Sequence, residues 1–230
     1  MSQHGGAVIT IDGPGGAGKG TISLAVANRL GWDYLDSGAL YRVLGLAATG
    51  KQIALDNEDA LAAEAIGLGV SFGAGSSGLG MEVLLDGEDV TSDIRTESAG
   101  NAASKVAALS AVREALLKRQ RDFERPPGVV ADGRDMGTTV FPGAALKIFL
   151  TASSEERAKR RYKQLIEKGD NANICALQSE IEERDRRDSE RSASPLRPAE
   201  DAVMLDTTEM DIESVITAVM GLATERGLVV

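Results

Sequence analysis

Ala7-Val8-Ile9-Thr10-Ile11-Asp12-Gly13-Pro14-Gly15-Gly16-Ala17-Gly18-Lys19-Gly20-Thr21 is the stretch on which the fold turns. Its first six residues form a short β-branched run, the pattern of a strand buried on both faces. Glycines follow closely enough for a tight loop. From Lys19 to about Leu30, Ile22, Val26 and Leu30 recur on one side, and Gly31 supplies a helix stop. Strand, glycine loop and helix make the first half of a βαβ unit. Similar short runs recur at 33–35, 128–132, 146–150 and 202–206, each leading into a polar turn. With helices between them, these predict an α/β fold, a three-layer doubly wound parallel sheet. Residues 70–90 break the pattern. Gly73, Gly75, Gly78 and Gly80 precede Met81 to Glu88, which reads as a hairpin turning at Asp86-Gly87, hence a small antiparallel insert. Residues 151–195 are dense in charge and open on a capping box, Ser153 to Glu156.

Length and composition bound the rest. At about 150 residues per domain, 230 residues fit one α/β domain with an insert or two. Apolar residues at 43% and charged residues at 26% supply a core and exclude wholesale disorder. Aromatics at 3% exclude a stacking platform for single strands. A formal net charge of −10 repels a phosphate backbone, so nucleic acid is not expected as a partner. A small phosphorylated ligand remains compatible, because clustered arginines outweigh the global field at short range. One cysteine, Cys175, forms no internal disulfide. No signal-peptide pattern opens the chain and no 18-residue apolar stretch occurs, so a cytoplasmic protein with no membrane partner is expected.

Two phosphate-binding templates overlap in the loop. Gly13 to Gly18 fits G-x-G-x-x-G, with Asp36 at a distance suited to a dinucleotide ribose. Gly13 to Lys19 also fits most of G-x-x-x-x-G-K, the triphosphate loop. Lys19 decides between them. A triphosphate donor needs a cation at its β and γ oxygens, whereas a dinucleotide pyrophosphate is held by backbone N–H groups. The hydroxyl usually found directly after the lysine is delayed: Gly20 intervenes before Thr21.

A second ligand is signalled by arginines at apolar phase. Ile174, Leu177, Ile181, Arg184, Asp188 and Arg191 share one helical face, with Arg187 alongside. An inward stripe that turns cationic implies an anion; an i,i+4 Arg184–Asp188 pair on a solvated helix end is the competing explanation. On a helix expected over 104–120, Arg113 interrupts the stripe of Val106, Leu109, Leu116 and Gln120, and an unpaired buried guanidinium would be costly. Asp36-Ser37-Gly38 with Arg42, and Asp132-Gly133-Arg134-Asp135, stand at strand ends, where open α/β sheets bind ligands. Turn chemistry accounts for the Asp-Ser-Gly and Asp-Gly pieces but not for both arginines. Arg157, Arg160 and Arg161 begin another helix and suggest an arginine-bearing lid.

His4, the one histidine, lies in a terminal segment expected to fray, which removes histidine base and histidine metal chemistry. Cys175 has no histidine partner and reads as a small core residue. A phosphate loop, one lysine and many arginines remain, a set that stabilises dissociative phosphoryl transfer by charge and position. Lys19, Arg157, Arg161 and Arg184 are the expected catalytic groups. A phosphate monoester acceptor is already ionised near neutral pH, its second pKa being about 6, and needs no base. The excess of arginines over candidate bases favours it.

Gly13-Pro14-x-Gly16-Ala17-Gly18-Lys19-Gly20-Thr21 with Asp36-Ser37-Gly38-Ala39-x-Tyr41-Arg42 resembles the bacterial cytidylate kinases. Asn101 to Ser104, Val112 to Leu117, Asp132 to Thr138 and Glu183 to Arg191 continue the resemblance over nearly the whole chain. It implies one P-loop kinase domain over 1–230, with ATP and Mg²⁺ as phosphoryl donor and metal and CMP or dCMP as acceptor, giving CDP or dCDP and ADP, and acting as a monomer. It also implies a nucleoside-monophosphate-binding insert near 64–104 and a lid near 152–175. By the resemblance, Gly13, Pro14, Gly15, Gly16, Ala17, Gly18, Lys19, Gly20 and Thr21 hold the ATP phosphates, Thr21 being the candidate Mg²⁺ contact. Arg42, Arg134 and Arg184 hold the phosphate or sugar of CMP, with Asp188 on the ribose. Ser104, Arg113, Asp135 and Arg191 read the cytosine, with Ser37 beside them. Gly15 departs from the serine common in the family, which implies a weaker hold on the acceptor phosphate. The rival readings are a kinase of a small hydroxyl compound using Asp36 or Asp132 as base, a regulatory nucleotide switch, and a dinucleotide-linked oxidoreductase.

Overall fold

The computed structural model describes residues 5–74, 81–167, 169 and 171–229. His4, Gly75, Gly78, Gly80 and, within the expected lid, residues 168 and 170 lie outside them. The chain divides into two compact units, Met1–Leu35 with Phe123–Val230, and Asp36–Asp122.

The first unit is built on β1 (Ala7–Asp12), β2 (Asp33–Asp36), β6 (Gly128–Gly133), β7 (Leu146–Thr151) and β8 (Val203–Asp206), in the order β2-β6-β1-β7-β8. The strand β1 pairs in parallel with β6, Ala7 opposite Gly128, and with β7, Ile9 opposite Leu146; β7 in turn pairs in parallel with β8. Every residue of β6 is buried, which is why these strands read as continuous apolar runs instead of alternating ones. The helix α1 (Lys19–Leu30) starts directly after the loop, with Ile22 and Val26 buried. They join Ile9, Ile11, Val130, Ile148 and Val219 of α8 (Ile212–Glu225) in one aliphatic cluster. The remaining helices of this unit are α6 (Ser154–Glu167) and α7 (Ile174–Glu190), which pack on one another. A single π-type turn spans Met136–Val140. Ser153 Oγ accepts from the Glu156 N–H at 3.1 Å, so the expected cap is formed.

The second unit holds α2 (Ser37–Gly50), α3 (Glu58–Gly67), α4 (Glu97–Val106) and α5 (Ser110–Arg121). It also holds the antiparallel sheet of β3 (Val70–Ala74), β4 (Met81–Leu85) and β5 (Glu88–Asp89). The hairpin turns at Asp86-Gly87 with φ of 52° and 88°, the paired positive values of a type I′ turn. Helix α2 packs on α4 and α3 on α5. Gly45 permits the first approach: a Cβ there would stand 3.0 Å from that of Ala102.

Two expectations need correction. The helix expected over 104–120 is two helices, broken between Val106 and Ser110. The Arg113 guanidinium supplies a reason, since its Nη1 donates at 3.2 Å to the Ala107 carbonyl at the break. Cys175 is exposed and no core residue, because it lies in the first turn of α7 where Ile174 is also 37% exposed. The inward stripe therefore starts at Leu177. Among the described residues no helix is long and apolar enough to cross a membrane.

Candidate active site

The phosphate loop is positioned from both ends. Gly13, at φ 148°, passes so close to β7 that a Cβ would meet the Leu150 carbonyl oxygen at 2.1 Å. Gly18, at φ 88°, is the N-cap of α1. Both conformations lie where side chains are strained. Lys19 begins α1 and is 6% exposed; its Nζ donates to the Pro14 carbonyl at 2.9 Å and lies 3.9 Å from Asp132 Oδ1. Burial pushes this lysine down to about 7, Arg134 and Arg184 push the same way, and Asp132 and Asp12 oppose them. At Gly20 a Cβ would stand 3.4 Å from Asp132 Oδ2 and 3.5 Å from Tyr34 Oη, ordinary contacts, so nothing steric explains the glycine there. Thr21 is exposed on the first turn of α1.

Two arginines flank the loop at Gly15, where a Cβ would lie 3.5 Å from Arg134 Nη2 and 3.7 Å from Arg184 Nη1. Arg134 follows β6, and its Nε donates at 2.9 Å to Asp188 Oδ2 on α7, a carboxylate 3% exposed. Burial works against the Arg134 charge; Asp188 first, then Asp132 and Asp185, outweigh it and raise the pKa. Arg191, at the C-cap of α7, lies with Nη2 3.6 Å from Asp135 Oδ1, both side chains 3% exposed, while its Nε donates to the Ser194 carbonyl. The loop carrying Arg134 and Asp135 is tied to the loop strand by Asp12. Its two carboxylate oxygens accept from the Met136 and Gly137 N–H groups at 2.8 Å each. Burial pushes the Asp12 carboxyl up to about 7.

On α6, Arg157 is buried, with Nη1 donating to the Gly15 carbonyl and Nη2 to Asp185 on α7. Arg160 is bound to Glu156 and Thr207, and half-buried Arg161 donates to Gln164. In the Asp36–Asp122 unit, Asp36 caps α2 by accepting from the Ala39 N–H and pairs with Arg42 at 2.7 Å. Gly38 leaves room for that pair, since a Cβ there would stand 3.1 Å from Arg42 Nη1. Ser37 and Ser104 are buried, and the buried Arg113 guanidinium lies 5.7 Å from the Tyr41 ring centroid. Within the first unit the structure thus groups Lys19, Arg134, Arg184, Asp188 and the loop. Within the second it groups Ser37 and Arg42 at one helix start.

Asp12 and Asp185 were missed by the sequence reading, while Asp132 was weighed only as a base and Tyr41 only as part of a motif. Asp12 ends an apolar strand, a signal equal to that which drew attention to Arg134. Asp185 lies one position off the α7 stripe, and periodicity hides it.

A parallel sheet whose first strand feeds a glycine loop, a buried lysine at the following helix start and guanidinium groups beside that loop define an α/β protein of the phosphate-loop class. The family described as cytidylate kinase matches residues 9–225. A cytidylate kinase of Stutzerimonas stutzeri is 56% identical over 96% of this chain and 96% of that one. One of Shewanella denitrificans is 57% identical over 93% of this chain and 94% of its own. A solved gluconokinase of Sinorhizobium meliloti is similar over 98% of this chain and 96% of that one, at 16% identity and TM-score 0.47. The chain belongs to the cytidylate kinase family.

Proposed function

We propose that this chain transfers the terminal phosphoryl group of ATP to CMP or dCMP, giving ADP with CDP or dCDP, as a monomer in the cytoplasm. Membership of the family supports the base. The observation that carries the chemistry is the placing of Arg134 and Arg184 at Gly15, beside a loop that ends in buried Lys19. Residues 1–230 act as one kinase domain, with the monophosphate-binding insert near 64–104 and the lid near 152–175.

The loop from Gly13 to Thr21 takes the ATP phosphates on backbone N–H groups and the α1 N-terminus. Lys19 neutralises the transferring group. Its lowered pKa rises again when negative phosphate oxygens come near, because an opposite charge favours the charged form. Arg134 and Arg184 hold the acceptor phosphate or sugar, and Arg42 is assigned the same task from the second unit. Asp188 fixes Arg134 and reaches the ribose. Asp135 and Arg191, and in the second unit Ser104 and Arg113 with Ser37, read cytosine, whose N4 amino group needs an acceptor and whose N3 and O2 need donors. Arg161 contributes from the lid. Among the described residues no cluster of three or more His, Cys, Asp or Glu side chains could hold a metal. That fits Mg²⁺ brought in on the triphosphate, since this ion is usually bound by one or two carboxylates plus substrate phosphates. Asp132 and Thr21 would hold it, and when bound it would offset charge on the β and γ oxygens.

Steady-state turnover of ATP with CMP, dCMP, UMP, AMP, GMP and a panel of sugar and polyol acceptors tests the reading. CMP and dCMP should lead by at least tenfold in kcat/KM. A faster hydroxyl acceptor, or equal turnover of AMP, would sink it.

A further inference from the structure

Arg157 is 4% exposed. Its guanidinium is engaged on three sides: Nε donates to the Ala152 carbonyl at 3.0 Å, Nη1 to the Gly15 carbonyl at 3.0 Å, and Nη2 to Asp185 Oδ2 at 2.6 Å. Its stem is the seat of the loop as well, since a Cβ on Gly16 would lie 3.3 Å from the Arg157 Cβ. Gly16 itself has φ 78°. A trans peptide is planar, with its C=O and N–H pointing in opposite directions. Holding the Gly15 carbonyl toward Arg157 therefore turns the Gly16 N–H away from α6, the sense in which a loop amide meets a phosphate.

We infer that Arg157 and Asp185 are positioning residues that set the Gly15–Gly16 peptide for phosphate binding, Asp185 acting through Arg157 and Arg157 through the loop. Only a fork of several donors in fixed geometry meets three acceptors from three segments; a lysine's point charge does not. Asp185 Oδ1 is buried without a hydrogen-bond partner. A partly buried ion pair (the Asp185 side chain is 23% exposed) with unused acceptor capacity is a poor device for stability, and its value here lies in orientation. Through this pair the loop is fastened to α6 and α7 together, so a shift of either helix is felt at the Gly15 peptide. The inference rests on the assignment of the loop as the triphosphate site.

ADP is the discriminating probe because it lacks the transferred group. Calorimetric titration of ADP into R157A should give at least tenfold weaker binding, and into D185N about three- to tenfold weaker binding. KM for ATP should rise in parallel, and by a larger factor than kcat at saturating ATP falls or KM for CMP changes. The double variant R157A/D185A should bind ADP no more weakly than R157A. Loss of folded protein lowers the active fraction and leaves KM for ATP and the ADP affinity unmoved, so this split separates positioning from mere support. If R157A fails to fold, R157K and D185N carry the same comparison. A hundredfold loss of kcat with unchanged ADP affinity would place Arg157 on the phosphoryl group and overturn the inference, as would additive losses in the double variant. Failure of wild-type protein to bind ADP would overturn the loop assignment as well.

Discussion

At Gly15 the absence of a side chain leaves a small gap among donors, with Arg134 Nη2 and Arg184 Nη1 within 3.5 and 3.7 Å of where a Cβ would stand. Those separations are ordinary contacts, so a serine fits, and its hydroxyl could both accept from a guanidinium and donate to a bound phosphate. A hydrogen bond to a charged group contributes about 1.5–3 kcal/mol. Only part of that would be realised with two arginines already present. G15S should therefore lower KM for CMP about threefold to tenfold while leaving kcat and KM for ATP near wild type. Unchanged KM for CMP would show that position 15 does not reach the acceptor. The next residue behaves differently: Gly16 combines φ 78° with close contact to Arg157, so the same substitution there is strained whatever its hydroxyl bonds.

Between elements, the Arg134–Asp188 pair fastens the end of β6 to the last turns of α7. Removing one partner of a buried pair strands the other charge, at about 3–5 kcal/mol, whereas apolar replacement of both is often neutral. D188A should lower the unfolding free energy read from denaturant titration by an amount in that range. R134M/D188L should recover most of it and remain inactive, and an unrecovered double variant would show that the pair is more than a mutual charge match. The sequence makes such ties partly legible. Strands buried on both faces announce themselves as apolar runs, and the loop announces itself through glycines and Lys19. Arg184, Asp188 and Arg191 are visible as a stripe because they keep helical phase with Leu177. The break between Val106 and Ser110 is invisible for the same reason: Val106, Leu109 and Arg113 keep a regular spacing across it. The strand order and the three-way engagement of Arg157 depend on pairings between distant segments, on which local periodicity is silent.

Over the whole molecule the formal charge is −10, and the interior holds both signs: Lys19, Arg113, Lys147, Arg157 and Arg191 are buried, as are Asp12, Asp132, Asp135 and Asp188. The net negative charge repels a polymeric anion. Buried charge has a signature in stability. Asp12, raised to about 7, binds more protons folded than unfolded between its usual range and neutrality, so its contribution falls as pH rises from about 4 to 7. Lys19, lowered to about 7, binds fewer protons folded than unfolded between 7 and its usual 10.5, so stability recovers as pH rises through that window. Without nucleotide these two groups produce a trough near pH 7. Each unit of pKa shift corresponds to about 1.4 kcal/mol, so burying the charged lysine costs on the order of a few kcal/mol. K19M deletes that cost. Thermal melts should show the variant without nucleotide more stable than wild type at pH 7, with the recovery between pH 7 and 10 lost. The rise in melting temperature that ATP gives the wild type should nearly vanish, and turnover should fall with every acceptor. A variant less stable at pH 7, or one that keeps full activity, would show that Lys19 serves the fold and not the phosphate.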